Sequence, residues 1–216
     1  MQAPDYRHTD LALAGADCDR DMAAILAIQY ADTEPFASCE RDPRVREQAL
    51  TGFFLGVFAE TRAAGGELLT LTDRCAVVLS APCPPPAATP AVRGAAFAPC
   101  GLEDLARGLR RRRKQAMGNR AHVYLGYRGQ LPGTEKQGLS FLIRRRLERA
   151  DEDRLPVYTE AYGAQEAARL EKYGFGRVAG PAPAGGAGRA PVIVAMLRAP
   201  RRPDIATVRQ SAPISR

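Results

Sequence analysis

Apolar positions along the chain switch between helical and alternating periods, and the switches mark the elements. Met22 to Ile28 form an apolar run behind Asp17–Asp21, which offers capping residues, so a helix is predicted there. Pro43 stands where a second helix would begin. Behind it Val45, Ala49, Leu50, Phe53, Phe54, Val57 and Phe58 recur at helical spacing as a wide apolar stripe, ended by Gly65 and Gly66. Leu11–Ala14 reads as a short strand. Leu68–Leu71 and Ala76–Leu79, separated by Asp73-Arg74, read as a hairpin. Leu102, Leu105 and Leu109 predict a helix that leads into Arg110–Lys114. Val123–Leu125 is a strand, and Pro132-Gly133 turns into a helix with Leu139, Leu142, Ile143 and Leu147 on one face and Arg144 to Arg146 on the rest. Val157–Ala161 is a strand, Gln165–Tyr173 a short helix and Val192–Leu197 a final strand.

The order β-α-α-β-β followed by β-α-β-α-β predicts an α/β (α+β) fold, a mixed sheet with helices on both faces. The proline-rich stretch Pro82–Pro90 and the Gly/Pro/Ala segment 180–190 read as connections. A chain of 216 residues suits one domain, here 1–198. The basic segment 199–216 lacks an apolar period and is expected to be disordered.

Charge adds one question. The net charge is +7 and the pI about 9.5, which suits an anionic partner such as a nucleic acid or a phosphorylated cofactor. Nearly all the positive charge is arginine, with lysine only at Lys114, Lys136 and Lys172, a bias that genomic base composition also produces. The five cysteines are odd in number and form no C-x-x-C pair, and His8 and His122 are the only histidines. Neither a zinc site nor a disulfide framework is expected, and reduced thiols in the cytoplasm fit best. Residues 1–20 show no apolar signal region, and the longest apolar stretch, Ala49–Ala59, is too short to span a bilayer.

The region His122–Phe175 resembles the GNAT (Gcn5-related N-acetyltransferase) superfamily, in its puromycin N-acetyltransferase-like branch. His122-Val-Tyr-Leu-Gly126 followed by Pro132 is similar to that branch's fourth strand. Leu155-Pro-Val-Tyr-Thr-Glu160 is similar to its fifth, and Glu171-Lys-Tyr-Gly-Phe175 to its E-R-x-G-F ending. The resemblance implies a six- to seven-stranded sheet with splayed central strands and a reaction that joins an acyl group to the amine of a small molecule. Specialised metabolism or antibiotic self-protection would be its setting. It also implies an acyl-CoA co-substrate held by Leu125, Gly126 and Tyr127 and by the loop and helix start Lys136, Gln137, Gly138, Leu139 and Ser140. A helix N-terminus with small residues supplies N–H donors to a pyrophosphate.

Several positions depart from the family pattern. Lys136 stands where a glycine is usual, Glu135 brings a carboxylate toward the phosphates, Leu170 replaces the thiol-protonating tyrosine, and Glu166 replaces a donor-contacting asparagine. Tyr158, Tyr162 and Tyr173 are the nearby phenols, of which Tyr162 is the catalytic candidate. Glu160 matches the family's glutamate and is the first candidate base, His122 the second. Gly126 and Gly129 suit a bulge in the fourth strand. The run Arg110, Arg111, Arg112, Arg113 and Lys114 is expected to form a solvated positive face. With Arg144 and Arg145 it would track a polynucleotide if the acyl donor were an aminoacyl-tRNA, the alternative to acyl-CoA. A further alternative is a relic of the fold that binds ligand or RNA without catalysis.

Overall fold

The computed structural model describes residues 12–13, 16–85, 102–134, 137–178 and 193–201. The chain runs β1 (Ala12–Leu13), a 3-10 turn, α1 (Asp19–Tyr30), α2 (Pro43–Ala63), β2 (Glu67–Thr70), β3 (Ala76–Cys83) and α3 (Leu102–Met117). It continues with β4 (His122–Gln130), α4 (Gln137–Glu152), β5 (Val157–Tyr162), α5 (Ala164–Glu171), β6 (Gly176–Arg177) and β7 (Ile193–Arg198). Seven strands form one sheet in the order β1-β2-β3-β4-β5-β7-β6. Neighbouring strands are antiparallel except β4 and β5, which run parallel.

Both faces of the sheet are covered. On one, Leu26 of α1, Phe54 and Phe58 of α2 and Leu109 of α3 pack on Val77, Leu79, Tyr127 and Tyr162. On the other, Leu142, Ile143 and Leu147 of α4 and Leu170 of α5 pack on Val78, Val123, Leu125 and Ala161. The alternating residues of β3 and β4 thus divide between two cores, which is why these strands read as nearly continuous apolar runs. Helix α2 starts at its proline because the Asp42 carboxylate accepts from the N–H groups of Arg44 and Val45, a cap worth about 1 kcal/mol.

Several expectations are corrected by packing. Val45 heads the apolar stripe of α2 yet is 47% exposed, while Arg46 beside it is buried and donates to the Ala31 carbonyl. Strand β4 extends five residues beyond Leu125, β3 continues through Pro82 to Cys83, and the two-residue β6 has no counterpart among the expected strands. Arg146 does not share the solvated face of α4. It is buried, with Nε on Ser80 Oγ at 2.7 Å and 3.3 Å from Glu67. Arg198 closes β7, is 4% exposed and grips Asp151 through both Nη groups at 2.7 and 2.6 Å. The connection 86–101 and the tail beyond residue 201 lie outside the described residues.

Gly66 joins α2 to β2 where a Cβ would stand 2.5 Å from the Ser80 carbonyl oxygen and 2.8 Å from that of Thr61. Backbone on both sides leaves little room to yield. Gly66→Ala is therefore expected to lower stability by roughly 1–3 kcal/mol, read as an earlier urea midpoint at unchanged slope.

Candidate active-site cleft

Strands β4 and β5 pair at only two positions, Val123 with Val157 and Tyr124 with Tyr158. Beyond them both strands continue but no ladder joins them. The cause is visible on the other side of β4. Val78 of β3 lies opposite Arg128 and Ser80 opposite Leu125, so two residues of β4, Gly126 and Tyr127, face one of β3. This bulge bends β4 away from β5 and reverses its side-chain alternation. Leu125 points into the α4 core, and Tyr127 into the α1/α2 core. The wedge that the GNAT resemblance implied is present, with Gly126 at its bulge. Gly129 serves packing instead, because a Cβ there would sit 2.9 Å from Leu26 Cδ2, and its absence admits α1 against β4.

Arg128, a residue without a role in the sequence reading, spans the wedge. Its Nη1 donates to the Gly126 carbonyl at 3.1 Å and to Thr159 Oγ1 at 3.0 Å. Its Nη2 donates to the Glu160 carbonyl at 3.2 Å and to Glu166 Oε1 at 2.5 Å. Glu166 in turn accepts the Tyr162 N–H on Oε2 at 2.6 Å. The guanidinium and carboxylate thus take up β4 and β5 backbone groups that the missing ladder leaves unpaired. The signal in the sequence was faint: one arginine between two strand glycines, and an acid at 166 in place of a neutral amide.

The wedge opens into a cleft of about 790 Å³. Its floor is the pair Arg128 and Glu166 with the phenols of Tyr30 and Tyr162, and its walls include Gln130, Thr134, Leu139, Ser140 and Tyr173. Tyr173 donates its hydroxyl to Ser140 Oγ at 2.9 Å. Exposed Arg144, Arg169 and Lys172 ring the mouth. None of the three forms an ion pair among the described residues. Among the described residues, this side of the cleft is positive without an ion-paired counter-charge.

The start of α4 is partly occupied by the protein itself. Gln130 Oε1 accepts the Leu139 N–H at 3.4 Å, and its Nε2 donates to Thr134. Gly138 faces away from the cleft, where a Cβ would meet Leu71 Cδ1 at 2.6 Å, so packing on the hairpin requires it. Lys136 and Glu135 lie outside the described residues. Gln137 is the first residue of α4, and Leu139 and Ser140 line the cleft.

Glu160 is buried on the face of β5 turned toward α3. Arg113, stacked over the Tyr124 ring at 4.2 Å, and the hydroxyls of Tyr124 and Tyr158 surround its carboxylate. Burial outweighs these favourable neighbours and lifts the Glu160 pKa above the usual carboxylate range. Glu160 Oε1, the Tyr158 hydroxyl and His122 Nε2 make no hydrogen bond of ordinary geometry among the described residues. His122 Nδ1 is 2.7 Å from the Arg120 carbonyl, which only accepts, so Nδ1 carries the proton. Burial lowers the His122 pKa, keeping the ring neutral.

Tyr162 links this buried group to the cleft. Its ring stacks on Tyr127 at 6.1 Å, lines the cleft beside Tyr30 and feels the charge of Glu160. His122 does not line the cleft. It stands at the opposite end of β4, edge-on to Tyr158 at 6.3 Å.

The arginine run of α3 is no uniform solvated face, which corrects the expectation. Arg110 reaches Glu60 at 3.1 Å, Arg112 donates to the Ile193 carbonyl at 2.6 Å, and Arg113 turns in over Tyr124. Arg111, Lys114 and, on α4, Arg144 and Arg145 are exposed, Arg145 pairing with Glu148. No helix of the described residues is long and apolar enough to cross a membrane, and none of their His, Cys, Asp and Glu side chains cluster as a metal would need.

No protein-family profile matches the chain, and no curated protein matches it by sequence. Its fold is shared by solved structures. One is described as histone acetyltransferase HPA2 and related acetyltransferase from Corynebacterium glutamicum, 19% identical, with 91% of this chain and 99% of that chain covered at a TM-score of 0.60. Another is the C-terminal condensation domain of Ebony in complex with beta-alanyl-dopamine, 11% identical, covering 88% and 98% at 0.60. A third is arylalkylamine N-acetyltransferase 2 from Aedes aegypti, 12% identical, covering 90% and 100% at 0.51. At these identities the likeness is one of fold, and the fold is that of the acetyltransferases.

The raised pKa of Glu160 carries a sign for stability. Between its ordinary value of 4.5 and the raised value, the unfolded chain has released a proton that the folded chain still holds. Stability then falls as pH rises through that window. Glu160→Gln removes the ionisation, so the variant is expected to melt higher than the parent at pH 7. The difference should shrink as pH is lowered toward 4.5 in a series of thermal melts. An equal difference at every pH would contradict it.

Proposed function

We propose that the chain is an amide-forming acyltransferase, which takes an activated acyl group into the cleft and passes it to an amine. One observation carries the reading: β4 and β5 diverge into a cleft with a cationic mouth, and Glu160, a buried carboxylate with a raised pKa, stands two residues before the cleft-lining Tyr162 on β5. The fold shared with acetyltransferases supports the same class.

The donor's carrier, with coenzyme A as the first choice, supplies an activated carbonyl and phosphates. Arg144, Arg169 and Lys172 would hold the phosphates, and the divergence of the strands directs the acyl end to the floor. The bulge at Gly126 turns β4 backbone toward that space, where an N–H can polarise the carbonyl oxygen. As the amine nitrogen bonds to the carbonyl carbon, the carbon's bond to the carrier breaks, and one amine proton leaves. Glu160 is the base, acting through the Tyr162 hydroxyl, which lines the cleft and feels the Glu160 charge. Burial raises the Tyr162 pKa well above 10, so the phenol stays neutral throughout, passing its own hydrogen to Glu160 as it takes the amine's. The proton lost by the amine finally resides on the leaving group. His122, neutral but distant from the cleft, steadies Tyr158 and is assigned no proton transfer.

Transfer from an aminoacyl donor, of which aminoacyl-tRNA is one, is kept as a second reading, and the Ebony condensation domain supports the aminoacyl part of it. That fold neighbour was solved with an amide whose acyl part is an amino acid, β-alanine.

The test is amide formation followed by mass spectrometry, offering acetyl-CoA, aminoacyl pantetheine thioesters and charged tRNA with a panel of primary amines. Glu160→Gln is expected to reduce turnover by about 10²–10⁴-fold while keeping the fold, and activity of the parent should rise with pH through the raised Glu160 pKa. No amide from any donor, or full activity in the variant, would sink the proposal.

A further inference from the structure

The mouth of the cleft is cationic and its floor is a closed ion pair, and the hydrogen-bonding capacity of that floor distinguishes acyl groups. Arg128 is 5% exposed, and each of its four Nη hydrogens already has an acceptor. A ligand carboxylate therefore finds no free Nη donor on this guanidinium. Glu166 differs. Its side chain is 23% exposed and lines the cleft, and among the described residues each oxygen accepts one hydrogen bond where it can accept two. Tyr30 and Tyr162 complete the floor, and burial holds both phenols neutral. Aromatic rings beside a carboxylate with spare acceptor sites match an ammonium, through hydrogen bonds and cation–π attraction.

An acetyl methyl placed there would cover those acceptor sites without filling them. A dicarboxylic acyl group would set its own carboxylate against Glu166. At the mouth, Arg144, Arg169 and Lys172 ask for negative charge. The ligand that satisfies both ends is anionic at its carrier and cationic at its acyl tip.

We infer that the acyl group accepted by this cleft bears an ammonium, that is, an aminoacyl group, held by Glu166 beneath Tyr30 and Tyr162. This deepens the transferase reading and rests on the cleft being the donor site. Arg128 acts as a positioning residue: it fixes one Glu166 oxygen and leaves lone pairs of the carboxylate for the ligand.

Calorimetry of the whole protein with three unreactive amide mimics of 4′-phosphopantetheine tests it. The glycyl, glycolyl and propionyl mimics differ only in an ammonium, a hydroxyl or a methyl at one position. The glycyl mimic is expected to bind roughly tenfold more tightly than the other two. That margin should vanish as pH is raised past the pKa of its ammonium, and in Glu166→Gln. Should this variant fail to fold, the pH series on the parent protein decides alone. Three mimics binding equally would overturn the inference and leave the donor cleft standing. Binding by none would remove the donor cleft and the inference with it.

Discussion

A missing ladder organises this molecule. Two parallel strands in the middle of a seven-stranded sheet pair at two positions and then separate, leaving backbone donors and acceptors that water does not reach freely. Unpaired buried peptide groups are costly, and the chain meets them with Arg128 and Glu166. That ion pair is mostly buried, so removing one partner would leave an isolated charge, at a penalty of roughly 3–5 kcal/mol. The separation of the strands and the side chains that bridge it are one arrangement. The cleft exists because the bulge at Gly126 opens it and the Arg128–Glu166 pair holds it at a fixed width.

The same logic sorts the rest of the arginines. A basic composition suggested a surface for polyanions, yet Arg46, Arg128, Arg146 and Arg198 are all buried. Arg146 ties α4 to Ser80 and Glu67, and Arg198 ties β7 to Asp151 at the end of α4. Arg112 and Arg113 anchor α3 to β7 and to Tyr124. The planar guanidinium fits these roles because it serves several carbonyls and carboxylates at once. What is left for a phosphorylated partner at the cleft is a small set, Arg144, Arg169 and Lys172, rather than a continuous basic face.

Between the sheet and α3, polar groups are held in tension with their burial. Glu160, Tyr158 and His122 each present a polar atom without a hydrogen bond of ordinary geometry among the described residues. A core built only for stability would fill these positions with apolar side chains. They group on the α3 side of β4 and β5, on the same sheet face as Tyr162.

Periodicity alone located all five helices and most of the strands, because a helix or strand that must bury one face repeats its apolar residues at its own period. The H-V-Y-L-G, L-P-V-Y-T-E and E-K-Y-G-F segments, in that order and together, indicated the fold. Other features had no such local mark. Gly138 looked like a phosphate-loop glycine, but it is the approach of Leu71 that demands it. Arg128 looked like any strand arginine, and its partners Thr159, Glu160 and Glu166 are 31 to 38 residues away. The sequence by itself determined the elements and their faces, since these depend on the spacing of neighbours along the chain. Only the tertiary structure decided which arginines turn inward, what spans the wedge and where the cleft lies, since these depend on which backbone groups a bulge leaves unpaired between distant segments.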